Sequence, residues 1–449
     1  MKLQKVHEWN IHWVIIFCYL FSLTLSMEMG SHKINSNDNH EHDHMIFTRP
    51  DIQKPASRTI HWLFTLFFIF LINSINTCLA FASCLNWSLL LQIISTIYSL
   101  FDITFLNFKD NNNVENRTSK GTGIFIFFTS IITLIIGFIC FIKNKQNKER
   151  VSISFSQPFL NRLNILYCSL VFINTLTGFI KVCLAPISLF GFCKNDKTGQ
   201  CLAHGIMGSS FILYGFIYSM VLIIPWMKKQ TSSKYCQDYI DSWIICIYGI
   251  VNTFTEHRWG REPWHIHDYQ HTAMGILWWT GGILGILLSR KGKRTFVPGL
   301  IIMFTGWSMT QHHQHLEIST NVHNMFGLIL ILGGAVRIIE ISILLKDKPL
   351  VDEILSFQYL SPFCLVCAGC LFMAANQEQL DLVLRLGAEH SAYIMIIISG
   401  AFLLYCWMLF CLEYYVYLYL NTHNKSVRKY DRMDHDSSDV ESLFELSNM

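Results

Sequence analysis

Residues 122–142, TGIFIFFTSIITLIIGFICFI, contain no charged side chain. A helix needs roughly 20 apolar residues to cross the hydrocarbon core of a bilayer. Because lipid offers no hydrogen bonds, a crossing segment must satisfy its own backbone groups, so this run predicts a transmembrane helix. Similar runs recur along the 449 residues, of which 52% are hydrophobic and 14% charged, whereas roughly a quarter of the residues in soluble domains are charged.

The recurring apolar runs predict an all-α protein, a polytopic transmembrane helical bundle of about eleven spans. The predicted spans are 59–81, 87–106, 122–142, 162–187, 202–226, 239–257, 269–289, 296–315, 321–344, 354–375 and 390–419.

The amino terminus has the pattern of a secretory signal peptide, with an uncleaved anchor as the alternative. Lys2 and Lys5 precede the apolar stretch WVIIFCYLFSLTLS, and the small residues Thr24 and Ser26 suit a cleavage site. We therefore expect a luminal or extracellular amino terminus and a cytosolic carboxyl terminus, in the secretory or endomembrane system or the plasma membrane. Lys and Arg are enriched in the segments that this topology places in the cytosol, as the positive-inside rule requires.

The composition divides the chain into five regions. We predict a signal peptide at 1–26, a disordered His-rich luminal leader at 27–57 and a flexible, acidic cytosolic tail at 421–449. Between them lie an amino-terminal membrane domain at 58–230, with few ionisable groups, and a carboxyl-terminal membrane domain at 231–420, which contains a histidine cluster.

Several partners and reactions are not supported by any motif. The net charge of +3 and the lack of a basic stripe predict no nucleic-acid binding. We see no phosphate-binding loop, nucleophile elbow or dinucleotide fingerprint. Membrane lipids are the expected partners, and the sequence indicates no particular protein partner.

Local polar pairs and cysteines allow three smaller predictions. Cys193 and Cys201 flank the polar loop KNDKTGQ and are expected to form a disulfide if the loop is luminal. Arg337 and Glu340, three residues apart on a helix, are expected to form an ion pair. The cysteines of CLVCAGC, residues 364–370, are expected to pack as small apolar side chains.

The histidines of the membrane region all fall at luminal ends of spans or in luminal loops. They are His61, His204, His257, His265, His267, His271, His312, His313, His315, His323 and His390. Taken singly, a histidine such as His61 or His204 fits an interfacial position, with an apolar body and a polar tip. Their concentration on one side predicts a functional site, because ionisable groups inside membrane bundles usually face the interior and mark function.

The spacing of these residues predicts a shared site on the luminal side. His267 and His271 lie on one helical face, as do His312 and His315, and His323 begins the next span. Carboxylates lie nearby: Glu256 ends one span, and Glu317 follows the histidine run.

Three interpretations of this cluster remain open. Imidazoles and carboxylates suit a transition metal such as zinc, iron or copper, in a membrane hydrolase or oxidoreductase with Glu256 as the base. A b-type haem would serve electron transfer, although a transmembrane relay would need histidines in the cytosolic half as well. Otherwise the cluster belongs to an ion or proton transporter, or to a noncatalytic scaffold with structural hydrogen bonds.

The stretch NTFTEHRWG…WHIHDYQHTAMGILWW, followed by QHHQHLE…NVHNMFG, resembles the fungal Ytp family of multi-pass membrane proteins over about 235–420. The family is largely uncharacterised and has been described as similar to electron-transport proteins. The resemblance implies candidate site residues at matching positions: Glu256, His267, Gln270, His271, His313, His315 and His323. We add His312, Glu317 and His390 as supporting residues.

Overall fold

The computed structural model describes residues 55–105, 117–148, 157–193, 198–225, 227, 236–255, 264, 266–311, 316–345 and 354–447. Within these ranges every regular element is a helix, which confirms the predicted all-α class. The predicted signal peptide, and the leader up to residue 54, lie outside the described residues.

The described part of the chain forms thirteen α-helices. They are α1 (Pro55–Thr65), α2 (Ile72–Phe81), α3 (Leu85–Phe105), α4 (Arg117–Lys148), α5 (Gln157–Phe190), α6 (Thr198–Ile223), α7 (Gln237–Thr255), α8 (Ile266–Leu288), α9 (Val297–Thr310), α10 (Glu317–Ile339), α11 (Leu360–Met373), α12 (Gln377–Arg385) and α13 (His390–Ser447). A π-helical segment, Leu66–Leu71, joins α1 to α2, and a second, Glu340–Leu344, extends α10.

Nine of the described helices or joined helices are long and apolar enough to cross a membrane. Two of the predicted spans are not among these nine helices. The span predicted at 239–257 is the 19-residue α7, which begins with two acidic residues within five positions, Asp238 and Asp241. The span predicted at 296–315 is the 14-residue α9, which extends only about 21 Å at 1.5 Å per residue. The multi-pass architecture is therefore confirmed, whereas the count of eleven spans stays a prediction.

The helices pack in two groups. Helices α1 to α5 pack on one another around small cores that contain Ile69, Tyr98 and Tyr167. Helices α7 to α11 and α13 surround a larger core that includes Phe326 and Leu371. Helix α6, which the sequence placed with the amino-terminal spans, packs against α11 in this second group.

Two glycine pairs bring helices of the second group into close contact. A Cβ on Gly306 would lie 2.5 Å from the backbone oxygen of Gly327, so α9 and α10 approach backbone to backbone. Gly208 and Gly369 do the same for α6 and α11. Small residues allow this approach in membranes, where packing rather than hydrophobic burial holds helices together.

The carboxyl-terminal helix is longer than the sequence predicts. Helix α13 continues through the acidic segment as far as Ser447, where the composition predicts a flexible tail. Good helix formers and charged residues allow a helix to continue past its last apolar turn.

Candidate functional site

His204, near the beginning of α6, and His323, near the beginning of α10, place their rings in contact. We call this end of the second group the histidine end. The ring centroids of His204 and His323 are 5.8 Å apart, with the rings nearly perpendicular. Both side chains are buried, at 8% and 4% exposure. Their contact requires the amino-terminal ends of α6 and α10 to lie side by side, a consequence of the packing of both helices on α11.

The two rings have matching hydrogen bonds. Nδ1 of His204 lies 2.8 Å from the backbone oxygen of Gln200, and Nδ1 of His323 lies 2.8 Å from that of Ser319. Because a carbonyl oxygen only accepts, Nδ1 must be the protonated nitrogen in each neutral ring. Each Nε2 is therefore left with a lone pair. Nε2 of His204 is buried and has no hydrogen-bond partner within the described part of the chain.

Phe372 and His271 complete the surroundings of this pair. The Phe372 ring stacks on His204 with centroids 4.6 Å apart. His271, near the beginning of α8, lies within electrostatic range of both His204 and His323. Its backbone oxygen accepts a hydrogen bond of 2.9 Å from the Asn252 side chain, which joins α8 to α7. Imidazoles from three different helices therefore lie in the same region at one end of the bundle.

Of the remaining predicted site residues, only some have side chains that the structure describes. Gln270 donates to the backbone oxygen of Ser308 at 2.9 Å and so connects α8 with α9. Glu317 and His390 begin α10 and α13, with exposed side chains. Only the backbone of His267 is described, in the first turn of α8. Glu256, His312, His313 and His315 lie outside the described residues.

The structure thus places His271 in the same region as His323 and adds His204, whose ring contacts that of His323 and which fitted an interfacial position when taken singly. In the described ranges, no three His, Cys, Asp or Glu side chains are close enough to form a complete metal site. In the sequence, His204 shares the predicted luminal side with the other histidines of the membrane region. Its contact with His323 follows only from the fold.

A buried ionic network lies at the opposite end of the second group, which we call the charged end. Arg337 donates to Asp238 at 2.8 Å and to Glu340 at 2.7 Å. Arg294 also reaches Asp238, at 2.7 Å. The Tyr218 hydroxyl donates to Glu340 at 2.8 Å. The predicted pair of Arg337 and Glu340 is confirmed, and the two further charged residues join it from α7 and the loop before α9.

A third polar cluster lies within the first group, where the sequence analysis expected few ionisable groups. Nε2 of His61 lies 2.6 Å from the Asp102 carboxylate, and Nζ of Lys181 lies 3.3 Å from its other oxygen. Lys181 also donates to the backbone oxygen of Ser119 at 2.9 Å. Gly123 leaves space for the ammonium group, because a Cβ there would lie 3.1 Å from Nζ. No pattern in the sequence predicts that Asp102 and Lys181 lie close together.

The cysteines behave as expected. Cys193 and Cys201 form the predicted disulfide, with Cα atoms 5.6 Å apart. Cys364, Cys367 and Cys370 have free thiols. The first two are buried, and Cys367 lies in the apolar core of the second group.

Comparison with known proteins now gives the family. Residues 177–416 match the carboxyl-terminal region of YTP1-like proteins. Over 408 residues the chain is 55% identical to Protein YTP1 of Saccharomyces cerevisiae, an alignment that covers 90% of this chain and 87% of that protein. The chain belongs to the YTP1 family. The resemblance seen in the sequence is confirmed, and both histidines of the central pair lie within the matched region.

More distant relatives are also membrane proteins. An uncharacterised membrane protein of Schizosaccharomyces pombe is 25% identical over 272 residues, which cover 50% of this chain and 53% of that protein. An uncharacterised membrane protein of Saccharomyces cerevisiae is 24% identical over 268 residues, covering 47% of this chain and 40% of the relative. No solved structure matches the chain at a significant level. This family member is therefore a multi-pass membrane protein.

Proposed function

We propose that this YTP1-family protein holds a transition-metal ion at its histidine end. The observation that carries the proposal is the buried Nε2 of His204, which has no hydrogen-bond partner within the described residues and lies beside a second imidazole. A buried polar atom without a partner is costly, and the cost is far greater in lipid than in water. A metal bound at Nε2 removes that cost.

The hydrogen bonds of the two rings support ligation. A histidine that binds metal usually donates its other ring N–H to a carbonyl or carboxylate, which fixes the tautomer and orients the ring. His204 and His323 both have this arrangement through Nδ1. Neutral imidazole suits zinc, iron and copper. His271 is the third candidate ligand because it lies within electrostatic range of both rings.

The ligand set from the sequence extends this proposal. His267, His313 and His315 stay predicted ligands, and Glu256 stays the predicted base of a membrane hydrolase or oxidoreductase. The b-type haem, the ion or proton transporter and the noncatalytic scaffold stay predicted alternatives, since each accounts for imidazoles in the same region.

We further propose that the histidine end faces the lumen or the cell exterior. Cys201 lies three residues before His204 on α6, so the disulfide is at this end of the bundle. Disulfides persist in the secretory compartments and outside the cell, whereas the cytosol keeps thiols reduced. This agrees with the distribution of Lys and Arg in the sequence.

Metal analysis of the purified full chain tests the proposal. The parent protein and a His204→Ala/His271→Ala/His323→Ala variant are purified in detergent, and their metal content is measured by mass spectrometry. We expect a roughly stoichiometric metal in the parent and its loss in the variant. Equal metal content in the two proteins contradicts the proposal.

Two controls separate ligation from packing and from haem. Phe372→Leu removes the ring that stacks on His204 but no nitrogen, so it is expected to keep the metal. His204→Gln alone gives a milder test if the triple variant does not fold. An absorption spectrum of the parent completes the experiment, because a Soret band would assign the site to haem instead.

A further inference from the structure

A cleft of about 330 Å³ lies between α6 and α7, separate from the histidine end. Its walls are mostly apolar and include Phe211, Trp278, Ile302 and Leu365. Ile217 on α6 and Ile244 on α7 line the cleft and are also 41% and 42% exposed on the outside of the bundle. In a bilayer this outside surface faces lipid, so the cleft is open to molecules that diffuse within the membrane.

The cleft is polar at the charged end. Asp238, Asp241, Arg337, Tyr214 and Tyr218 all line it. Ligand sites typically combine an apolar body with a few polar groups that fix orientation. The cleft has this composition and therefore suits an amphiphile whose polar group lies at the charged end.

Among the described side chains of this network and the cleft, three carboxyl groups face two guanidinium groups. Both guanidinium groups, of Arg294 and Arg337, are engaged by Asp238, and Arg337 is also held by Glu340. Asp241 is the third carboxyl group, and its exposure is only 6%. Within the described ranges no Lys, Arg or His lies within ion-pair distance of its carboxyl group. Arg337 and Arg294 act on it only from a longer distance, and the Tyr214 hydroxyl is its neighbour.

A buried carboxylate without a cation is unstable, so Asp241 needs either a proton or a positively charged partner. A phosphate-bearing lipid is a poor partner, because the carboxylates repel its headgroup and Arg337, the guanidinium group that lines the cleft, is already held by two carboxylates. An ammonium group has the right charge and can donate to the Asp241 carboxylate and the Tyr214 hydroxyl together.

We propose that this cleft binds a long-chain primary amine from the membrane, with a single alkyl chain along the apolar walls and its ammonium group on Asp241. The entrance between α6 and α7 admits the chain from the lipid. The proposal does not depend on the metal site, since none of His204, His271 and His323 lines the cleft.

Fluorescence quenching in nanodiscs tests this site. The full chain is reconstituted in phosphatidylcholine and titrated with dodecylamine brominated along its chain, and with the matched brominated dodecanol and dodecanoate. Trp278 lines the cleft, so the difference between the parent and a Trp278→Phe variant isolates quenching there. Concentrations are expressed per lipid, which corrects for different partitioning into the bilayer.

The expected result is a preference for the amine that depends on Asp241. Half-saturation by the amine should occur at a concentration at least about tenfold lower than half-saturation by the alcohol. Asp241→Asn should remove this difference, because it removes the carboxylate that pairs with the ammonium group. The matched control is Asp381→Asn, which alters an exposed ion pair with Arg385 and should behave like the parent.

Two outcomes would overturn the proposal. If the amine and the alcohol quench Trp278 equally in the parent, Asp241 holds a proton rather than an ammonium group. If Asp241→Asn keeps the preference for the amine, the ammonium group binds elsewhere. Because the variant retains the size of the side chain, a failure to fold is not expected to obscure either result.

Discussion

Replacing Arg337 with methionine is expected to destabilise the protein by about 3 kcal/mol, near the lower limit for breaking a buried ion pair. Arg337 makes contacts of 2.8 Å to Asp238 and 2.7 Å to Glu340. Its side chain is 8% exposed, and each carboxylate is 1% exposed, so water cannot replace it. We choose the lower limit because Asp238 keeps Arg294, and Glu340 keeps the hydroxyl of Tyr218.

The assay is unfolding by sodium dodecyl sulfate in mixed micelles, followed by circular dichroism of the full chain. The matched control is Arg385→Met, which breaks the exposed pair with Asp381. Exposed pairs contribute about 0.2–1 kcal/mol, so this control should change the unfolding free energy little. Equal effects of Arg337→Met and Arg385→Met would refute the reasoning.

A double variant identifies the source of the loss. In Arg337→Met/Glu340→Gln, no isolated carboxylate remains at position 340, and the amide oxygen still accepts from Tyr218. We expect the double variant to recover about 1–2 kcal/mol relative to Arg337→Met, within the range found for contacting residues. If no stability is recovered, the unpaired Glu340 carboxylate is not the cause.

Two further predictions use the same unfolding assay. Asp102→Asn leaves the buried ammonium of Lys181 without a carboxylate, so it should lower the free energy of unfolding by about 3 kcal/mol or more. The double variant Asp102→Asn/Lys181→Met should recover part of that loss. An unchanged unfolding midpoint for Asp102→Asn would contradict this. Gly306→Val should separate α9 from α10 and cost about 2 kcal/mol or more, because overpacking strains the core. Gly121→Ala is its control, since nothing lies within 4 Å of the added Cβ, and similar losses from the two changes would show that close approach is not the cause.

The site was only partly predictable from the sequence. His271 and His323 were predicted because they lie in a dense run of imidazoles at one predicted side. His204 is distant in the sequence, and its contact with His323 depends on α6 packing against α11. The same reason explains why Asp102 and Lys181 were not singled out: each looks like an isolated charge until the helices of the first group assemble.

Local patterns therefore determined the class of protein and the pairs that form within one helix or loop. The length of the apolar runs decides that the chain crosses a membrane, since each segment must satisfy its own backbone. The pair of Arg337 and Glu340 and the disulfide of Cys193 and Cys201 were predictable because the two partners are close in the sequence. Which buried charges meet across helices was decided by the tertiary structure alone. An apolar helix facing lipid on one side and protein on the other shows little difference between its two faces, so its sequence does not specify which neighbour lies beside Asp241 or His204.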